Sequence, residues 1–462
     1  MGEALYLGED NDVDLIGALG VKHNTTVMVV GGGGKTAVIK ELARESWERG
    51  WPALMTTTTR VLASEFSGSP VVYMDSDPRS AAAAVRRLWD RGQTPLLVGG
   101  DLPESGKYTG VAPEELDRLK NYLGGGCFFV EADGARNCPL KVPRPHEPVL
   151  GRADLVLGVV GADVFGRLLD EEVCYNSAAA RRLLGAADEP VILTPERVAR
   201  ILLDTGGGRK GVPEGGPFRI LINKAEGYLR SREAFRLKSV LENAGVPAVV
   251  ASVWQKTILT RRPPVVSVVI LAAGMSRRMG TGKQMLACGD RRFLEAAVRL
   301  YQPFGPVLVV LGHDAAKIRN CLDLGEADTV VNERYREGMS TSLRLCVQKA
   351  MDQGAEAILL AFCDMPHLRA ETVDRILWGA SLHPDRMVIP VYEGKDGHPV
   401  VFPLRFLTEL LAIEGDRGAR GLVHSRPEDV VRLPVEDRAV TEDIDEMDTY
   451  RVVSEREGWD QR

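Results

Sequence analysis

The sequence predicts two α/β domains joined near residue 260, and three observations lead to this prediction. Short apolar runs rich in β-branched residues alternate with helical patterns, which is typical of parallel sheets covered by helices. A chain of 462 residues exceeds what one ordinary core accommodates. Both patterns lapse at residues 254–264, WQKTILTRRPP, whose arginines and prolines favour a connector. The expected domains are residues 1–258 and 263–462.

The composition is that of a globular protein. With 44% hydrophobic and 26% charged residues, the chain has enough apolar side chains to form cores. The formal net charge of -6 argues against general nucleic-acid binding, and no run of 18 apolar residues predicts a membrane span. The seven cysteines form no CxxC pair, which favours free thiols in a reducing compartment. We therefore expect a cytoplasmic protein that binds neither nucleic acid nor membrane.

A glycine-rich loop dominates the first predicted domain. An apolar strand at residues 25–30 leads into GGGGKT at 31–36 and then into a helical pattern. Glycine amides and a helix N-terminus both direct partial positive charge at an anion, although a plain tight turn is the alternative. Val29 stands where a full Walker A motif has glycine, so the spacing is nearer to a GxxGKT variant. The residues expected to bind the phosphates of ATP or GTP are Gly33, Gly34, Lys35 and Thr36.

Acidic residues follow another apolar run in this domain. Residues 127–134, CFFVEADG, predict a strand that delivers Glu131 and Asp133 to its carboxyl end. Open α/β sheets bind ligands at that end, and an acid there holds magnesium directly or through water. Capping of the next turn is the alternative.

A third strand, FRILINKAE at 218–226, ends in an NKxE sequence. It is near the NKxD element that reads guanine in GTP-binding proteins, with Glu226 in the place of the aspartate. The likeness extends over three residues only.

Four segments of this domain carry a family resemblance: GGGGKT, TTTTR at 56–60, EADGARNCPLK at 131–141 and INK at 222–224. Together they resemble the YqeC-like accessory proteins of the selenium-dependent molybdenum hydroxylase system. The resemblance implies a P-loop-like nucleotide-binding domain and an apo molybdenum hydroxylase as partner. It leaves the reaction of the domain, and any handling of selenium, open.

The second predicted domain opens with VVILAAGMSRRMGTGKQML at residues 268–286. A short buried strand is followed by small residues that let the backbone approach a ligand closely. Arg277, Arg278 and Lys283 then offer cations suited to the oxygens of a triphosphate. A strand followed by a solvated basic loop is the alternative.

LAAGMSRRMGTGKQML, residues 271–286, resembles the signature LAAGxSxRMGxxKxLL of nucleotidyltransferases that act on molybdopterin. The AAG sequence makes it similar to the molybdenum cofactor cytidylyltransferase family, a MobA-like group, over about residues 265–455. This resemblance implies a Rossmann-like domain with a mostly parallel sheet, CTP and molybdopterin as substrates, and Mg²⁺ as cofactor. It implies nucleotide-binding residues Leu271, Ala272, Ala273, Gly274 and Arg277, and catalytic cations Arg278 and Lys283.

Asp364 ends the apolar run AILLAFCD at residues 357–364, and the following Met-Pro stops the strand. Burying an unpaired carboxylate there would cost several kcal/mol. A cation removes that cost, so we expect Asp364 to bind Mg²⁺, as the DxP aspartate does in the family. An N-cap role is the alternative.

The resemblance assigns a second metal ligand to TEDIDEMDTY at residues 441–450, where the family has DIDTPED. Asp445 is the expected ligand, with Asp443 in reserve. Glu446 and Met447 replace the usual threonine and proline, so the choice between the two acids stays open, and either one could cap the next helix.

Two further segments are linked to the acceptor substrate by resemblance. EGMSTSLR at 337–344 places three hydroxyls at the head of a helix, which suits an anion, and Ser340 is the expected contact. A capping sequence would look much the same. GHPVVF at 397–402 assigns His398 to the pterin.

The expected reaction transfers CMP from CTP to the terminal phosphate of molybdopterin and releases pyrophosphate. The acceptor phosphate is already an anion, so positioning and charge stabilisation suffice without a protein nucleophile. The alternatives are nucleotidyl transfer to another phosphate acceptor and a non-catalytic cofactor carrier. The sequence leaves open the oligomeric state and the choice of CTP over GTP or ATP.

Overall fold

A computed structural model describes residues 13–74, 77–186, 189–275, 279, 282–415 and 419–459. The chain divides into two compact units. The first comprises the chain up to Glu226 together with Arg230–Arg262, and the second comprises Gly227–Leu229 and the chain from Pro263 onward. The chain crosses from the first unit to the second for the last time between Arg262 and Pro263. This point lies within residues 254–264, the predicted connector.

The first unit alternates strands and helices. Its strands are β1 (Thr26–Gly31), β2 (Ala53–Thr57), β3 (Val61–Leu62), β4 (Val71–Tyr73), β5 (Leu96–Val98), β6 (Gly100–Leu102), β7 (Lys107–Thr109), β8 (Cys127–Glu131), β9 (Leu140–Lys141), β10 (Leu155–Gly161), β11 (Cys174–Tyr175), β12 (Phe218–Asn223), β13 (Ala248–Ser252) and β14 (Thr257–Leu259). Its helices are α1 (Leu15–Leu19), α2 (Lys35–Glu48), α3 (Pro78–Trp89), α4 (Pro113–Leu123), α5 (Ser177–Leu184), α6 (Pro195–Leu203) and α7 (Tyr228–Asn243).

Nine of these strands form one sheet in the order β14-β13-β12-β10-β1-β8-β2-β5-β4. Every neighbouring pair is parallel except β13 and β14, whose connection of four residues is too short for a crossover. Alternate residues of β1 point to opposite faces, so Met28 and Val30 join one apolar cluster while Val27 and Val29 join another. Both faces are therefore covered, which explains the uninterrupted apolar sequence of the strand.

The second unit continues the numbering. Its strands are β15 (Val266–Ala272), β16 (Ala287–Cys288), β17 (Arg291–Arg292), β18 (Val307–Leu311), β19 (Asp328–Val331), β20 (Ala357–Phe362), β21 (Met387–Tyr392), β22 (Lys395–Asp396), β23 (Val400–Pro403) and β24 (Val430–Pro434). Its helices are α8 (Phe293–Tyr301), α9 (Ala315–Cys321), α10 (Met339–Asp352), α11 (Ala370–Leu382), α12 (Leu407–Leu411), α13 (Arg420–Ser425) and α14 (Met447–Glu457).

The sheet of the second unit has the order β19-β18-β15-β20-β23-β21-β22, and β24 pairs with β21. The four strands from β19 to β20 are parallel, as predicted. Strand β23 runs antiparallel to both β20 and β21, which the alternation of strands and helices did not predict. The seven residues between β21 and β23 include the short β22 and leave no room for a crossover, so β23 reverses direction. The α/β class is confirmed for both units.

No helix in the part of the chain that the structure describes has the length and apolar character needed to cross a bilayer.

Candidate nucleotide and metal sites

A cavity of about 740 Å³ opens at the carboxyl end of the sheet in the second unit. Leu271 on β15 pairs in register with Phe362 on β20, so the segments that follow these strands emerge at the same edge. The predicted site residues that line this cavity are Leu271, Ala272, Ala273, Gly274, Lys283, Asp364, His398 and Asp445. Segments far apart in the sequence thus meet around one space.

Three carboxylates lie together on one side of this cavity. Asp364, Asp443 and Asp445 each offer an oxygen, and these oxygens lie within 4.8 Å of one another. The local backbone explains the arrangement, because Ile444 donates its N–H to the carbonyl oxygen of Asp364 at 3.0 Å. The Ile444 side chain is buried in an apolar cluster with Phe293. In extended backbone the flanking acids then point the opposite way, toward the cavity.

Lys283 lies among these acids. Its Nζ donates to Asp364 Oδ2 at 2.9 Å and also to Asp445 Oδ1. Burial alone would lower the pKa of Lys283, but the charges and hydrogen bonds of Asp364 and Asp445 outweigh it and raise the pKa. The lysine is therefore a firmly charged cation, and it faces the carboxylates in a shared cavity.

Among the residues that the structure describes, this cluster brings three carboxylates together with one ammonium group. Lys283 pairs with two of the three acids, Asp364 and Asp445. Partial burial, with the charges of Asp445 and Asp364, raises the pKa of Asp443 above its usual value. The raised pKa reflects a partly desolvated carboxylate close to two other acids, where a bound cation would favour its charged form. Oxygen donors in this number and spacing fit a divalent cation such as Mg²⁺.

Gln284 braces the loop after β15. Its buried side-chain amide donates to the carbonyl oxygens of Ala272 at 2.5 Å and of Gly274 at 3.4 Å. The Gln284 side chain thus fixes the backbone of the LAAG segment through two of its carbonyl oxygens. Sequence reasoning missed this role, because a glutamine between Lys283 and a methionine has no distinctive pattern.

A hydroxyl-rich turn forms another part of the cavity wall, but with a different residue from the one predicted. Ser342 lines the cavity, whereas Ser340 is only 1% exposed and is not among the lining residues. Asn332 donates to the hydroxyls of Thr341 and Ser342, both at 2.8 Å, and so fixes this wall. Helical geometry separates Ser340 from Ser342 by about 200° around the axis.

His398 has a buried nitrogen and a neutral ring. Burial lowers its pKa, and Arg420 lowers it further against the opposing effect of Asp364. Its Nδ1 has no hydrogen-bond partner among the residues that the structure describes. The ring packs edge-on against Phe362 with the centroids 4.8 Å apart. The residue lines the cavity, and a neutral imidazole offers one donor and one acceptor nitrogen, which suits a heterocyclic ligand.

The glycine loop of the first unit lies at the carboxyl end of β1, next to β8 and β10. Gly33 and Gly34 have φ of 75° and 104°, and a Cβ on Gly33 would come within 2.3 Å of the Gly161 nitrogen. Only glycine fits this backbone. The loop ends at Gly34, which precedes the first turn of α2.

Lys35 is buried in this loop, with 5% exposure, and is paired with acids. Its Nζ donates to the carbonyl oxygen of Gly31 at 2.8 Å and lies 3.2 Å from Asp133 and 3.7 Å from Glu131. Burial opposes the charge of Lys35, but Asp133 and Glu131 raise its pKa. Lys141 also contacts Asp133, at 3.4 Å, so the fully buried aspartate is neutralised from two sides.

Thr36 connects the loop to two acids. Its Oγ1 lies 3.0 Å from a carboxylate oxygen of Glu131 and 3.0 Å from one of Glu65, and its single proton can be donated to either. Burial raises the pKa of Glu131, although Lys35 and Thr36 partly oppose this. A hydroxyl beside a carboxylate at a helix N-terminus provides oxygen ligands of the kind that magnesium prefers.

Comparison with known proteins assigns each half of the chain. The MobA-like NTP transferase domain model matches residues 268–430, and the YqeC protein model matches residues 27–178. The nicotine blue oxidoreductase of Paenarthrobacter nicotinovorans is 30% identical over 202 residues, which cover 41% of this chain and 97% of that protein. The chain therefore contains a MobA-like NTP transferase domain and a YqeC domain. The predicted resemblance of each half is confirmed.

Two relatives from Escherichia coli match one half each. The YqeC protein is 27% identical over 201 residues, covering 42% of this chain and 73% of that protein. The molybdenum cofactor cytidylyltransferase is 25% identical over 190 residues, covering 41% of this chain and 95% of that protein. The chain therefore joins a YqeC domain to a MobA-like NTP transferase domain.

Some predicted residues of the MobA-like domain lie outside the described residues. Arg277 and Arg278 belong to this group, so their roles stay predictions. The metal prediction named Asp445 first and Asp443 in reserve, and the structure brings both acids to Asp364. The alternation of acid, isoleucine and acid contained this information, because residues two apart share a face in extended backbone.

Proposed function

We propose that the MobA-like domain transfers CMP from CTP to the terminal phosphate of the molybdopterin cofactor and releases pyrophosphate. The single observation that carries this proposal is the cavity in which Lys283, the three acids and the LAAG segment meet. The relative named as a molybdenum cofactor cytidylyltransferase supports the choice of cytidine nucleotide and acceptor.

The acids of the cavity suit a magnesium ion. Asp364, Asp443 and Asp445 would hold it through carboxylate oxygens. When bound, magnesium neutralises phosphate charge and helps to orient the triphosphate. In the presence of such an ion Lys283 would be able to pair with the β and γ phosphates, which is the role that the signature resemblance implies for it and for Arg278.

Residues of the cavity then position the two substrates. The backbone of residues 271–274, braced by Gln284, borders the nucleotide side of the cavity. An oxygen of the acceptor phosphate attacks the α-phosphorus of CTP, and the bond from that phosphorus to the α,β-bridging oxygen breaks. Pyrophosphate carries away the electron pair. The cations near the β and γ phosphates stabilise that leaving group, so alignment and charge supply the catalysis.

The test uses the purified full chain with magnesium, molybdopterin and one nucleoside triphosphate labelled at the α-phosphate. We expect labelled dinucleotide from CTP in preference to GTP and ATP. Parallel reactions replace molybdopterin with sugar phosphates, because the same type of domain serves other acceptors. Pyrophosphate release only with another acceptor would overturn the molybdopterin assignment and keep the nucleotidyltransferase. Binding without turnover on any acceptor would favour a cofactor carrier.

For the YqeC domain we infer a nucleoside triphosphate site at Gly33, Gly34, Lys35 and Thr36. The support is the left-handed glycine backbone, the lysine and hydroxyl at the start of α2, and the adjacent Glu131 and Asp133. In this role the domain would accompany maturation of a molybdenum hydroxylase, the implied protein partner.

The nucleotide site is tested by equilibrium binding of ATP and GTP to two variants of the full chain. Lys35→Ala removes the buried cation, whereas Lys35→Arg keeps the charge and changes its shape. We expect both to lose binding at this site. Unchanged binding in the correctly folded Lys35→Arg protein would contradict the assignment.

A further inference from the structure

We propose that the YqeC domain reads guanine, with Glu226 as the residue that recognises the base and Ser252 as the residue that positions Glu226. This inference rests on the proposed phosphate site at GGGGKT and adds the identity of the base. The residues concerned lie at the carboxyl ends of β12 and β13, where the sheet presents its ligand-binding edge.

Asn223 connects the glycine loop to the base region, which we define as Glu226, Ser252 and the turn after β13. Its buried side chain donates through Nδ2 to the carbonyl oxygen of Gly33 at 2.9 Å. Its Oδ1 accepts the N–H of Val253 at 3.0 Å. One amide therefore fixes the glycine loop, the end of β12 and the turn after β13 relative to one another. A nucleotide bound to the loop would meet a preorganised surface here.

Glu226 offers a carboxylate at this surface. The Ser252 hydroxyl donates to its Oε1, and the Gln255 N–H in turn donates to the serine oxygen at 3.2 Å. Among the described residues, no lysine or arginine pairs with Glu226. A carboxylate has about four acceptor positions, and the serine uses one of them. The remaining acceptor capacity is available to a ligand.

The chemistry of a carboxylate selects guanine. The N1–H and the exocyclic N2–H of guanine are two parallel donors that a carboxylate accepts together. Adenine and cytosine each place a ring nitrogen acceptor beside their amino group, so a carboxylate meets one donor and one repelling lone pair. A site built on paired hydrogen bonds discriminates strongly against such mismatches.

Neighbouring side chains suit the faces of a base. Lys224 adopts φ of 58°, and its Nζ pairs with Asp163 at 3.0 Å while the side chain stays 38% exposed. That pair fixes the ammonium group and leaves the methylene stem able to cover an apolar ring. Trp254 lies in the turn after β13 and is 91% exposed. An exposed indole is a surface on which a base can stack.

The distance from the glycine loop to the base region fits a single nucleotide that contacts both. Strand β12 is separated from β1 by β10 alone, so the base region lies two strand spacings from the glycine loop. Two spacings amount to about 10 Å. This distance is comparable to the reach from the phosphates of a nucleotide to the edge of its base.

The experiment measures equilibrium binding of GTP, ATP, ITP and XTP, each with Mg²⁺, to the full chain. All proteins carry Lys283→Ala and Asp364→Asn, so that binding reports the YqeC domain. We expect GTP to bind at least about tenfold more tightly than ATP, the scale of one lost charge-assisted pair. ITP lacks the 2-amino group and should bind more weakly than GTP.

The decisive variant is Glu226→Gln, with Glu242→Gln on the exposed face of α7 as the matched control. The glutamine presents one acceptor and one donor, which complement the N1–H and the C2 carbonyl of xanthine. We expect GTP binding to fall at least about tenfold and XTP binding to rise. A purely structural defect could not produce that exchange of preference.

The outcomes distinguish a failure of the guanine assignment from a failure of the phosphate site on which it rests. Equal binding of GTP and ATP, or a Glu226→Gln protein that keeps the GTP preference, would overturn the guanine assignment and leave the phosphate site standing. Failure to bind any of the four nucleotides would overturn both.

Discussion

The two domains place a lysine among acids in opposite ways. Lys283 of the MobA-like domain faces a cavity and pairs with Asp364 and Asp445, and the side chain of Asp445 is 42% exposed. Lys35 of the YqeC domain is buried, as are its partners Asp133 and Glu131. The first cluster borders a cavity and holds one lysine among the described residues, whereas the second is buried, and Lys141 supplies a second cation there.

This difference separates an acid cluster that borders a cavity from one whose acids are already paired with buried lysines. Carboxylates that repel one another in contact with solvent gain when a divalent ion arrives. Buried acids and lysines in a closed cluster stabilise each other, and removing one partner leaves an uncompensated charge. Substitutions in the two clusters therefore test this contrast.

The largest effect is expected from Lys35→Met, which keeps the stem and removes the charge. Asp133 and Glu131 would remain buried without their nearest cation, at a cost of about 3 to 5 kcal/mol. Lys283→Met should cost about 1 kcal/mol or less, because its acids contact solvent and one can take up a proton. Urea unfolding followed by hydrogen exchange of each domain measures both. An equal loss of unfolding free energy in the two variants would contradict the proposed difference between the two clusters.

Asp364→Asn should reduce nucleotidyl transfer at least about a hundredfold, the scale of losing one preorganised charge contact. The substitution keeps the shape of the side chain and relieves repulsion with Asp443 and Asp445, so the melting temperature should not fall. The assay is dinucleotide formation from α-labelled CTP. Asp352→Asn, on the exposed face of α10, serves as the control. Turnover at the normal rate in a folded Asp364→Asn protein would remove Asp364 from the metal site.

Gln284→Leu should raise the KM for the nucleotide about tenfold and change kcat less. The variant loses the donors to Ala272 and Gly274, and each neutral hydrogen bond contributes about 1 kcal/mol. Steady-state kinetics separate the two parameters. Gln353→Leu, at an exposed glutamine of the same domain, should leave both unchanged. A normal KM would show that the loop holds its shape without this brace.

The smallest effect concerns pH and Asp443. Because its pKa is raised in the folded protein, the folded state keeps a proton that the unfolded chain releases. Stability of the metal-free domain should therefore fall as the pH rises from about the unperturbed value of 3.8 through the raised pKa. Magnesium should remove this slope, and so should Asp443→Asn. Thermal melting at a series of pH values, with and without magnesium, measures this pH dependence. Stability that rises with pH over this range would contradict the raised pKa of Asp443.

Much of this organisation was predictable because it depends on local pattern. Apolar runs predicted the central strands of both sheets, and the acid after β20 was expected at a strand end. Residues 271–286 carried enough specific sequence to identify the MobA-like family. The alternation at 443–445 also indicated that two acids share a face, although only one of them was preferred.

The rest depends on contacts between distant segments. The antiparallel entry of β23 follows from the short connection after β21 and not from its own apolar sequence. Ser342 rather than Ser340 lines the cavity because helix α10 begins at Met339 and sets the phase of its side chains. Gln284 acquires its role only when β15 and the following loop fold back on it. Each of these features is a property of the packed domain.

The most direct test of the central claim is a Mn²⁺ titration of the full chain followed by electron paramagnetic resonance. Wild-type protein and the Asp364→Asn variant are titrated side by side, so that any ion bound in the YqeC domain cancels. The acid cluster around Lys283 predicts that the wild-type protein binds one more ion per chain than the variant. Identical stoichiometry and affinity in the two proteins would contradict it.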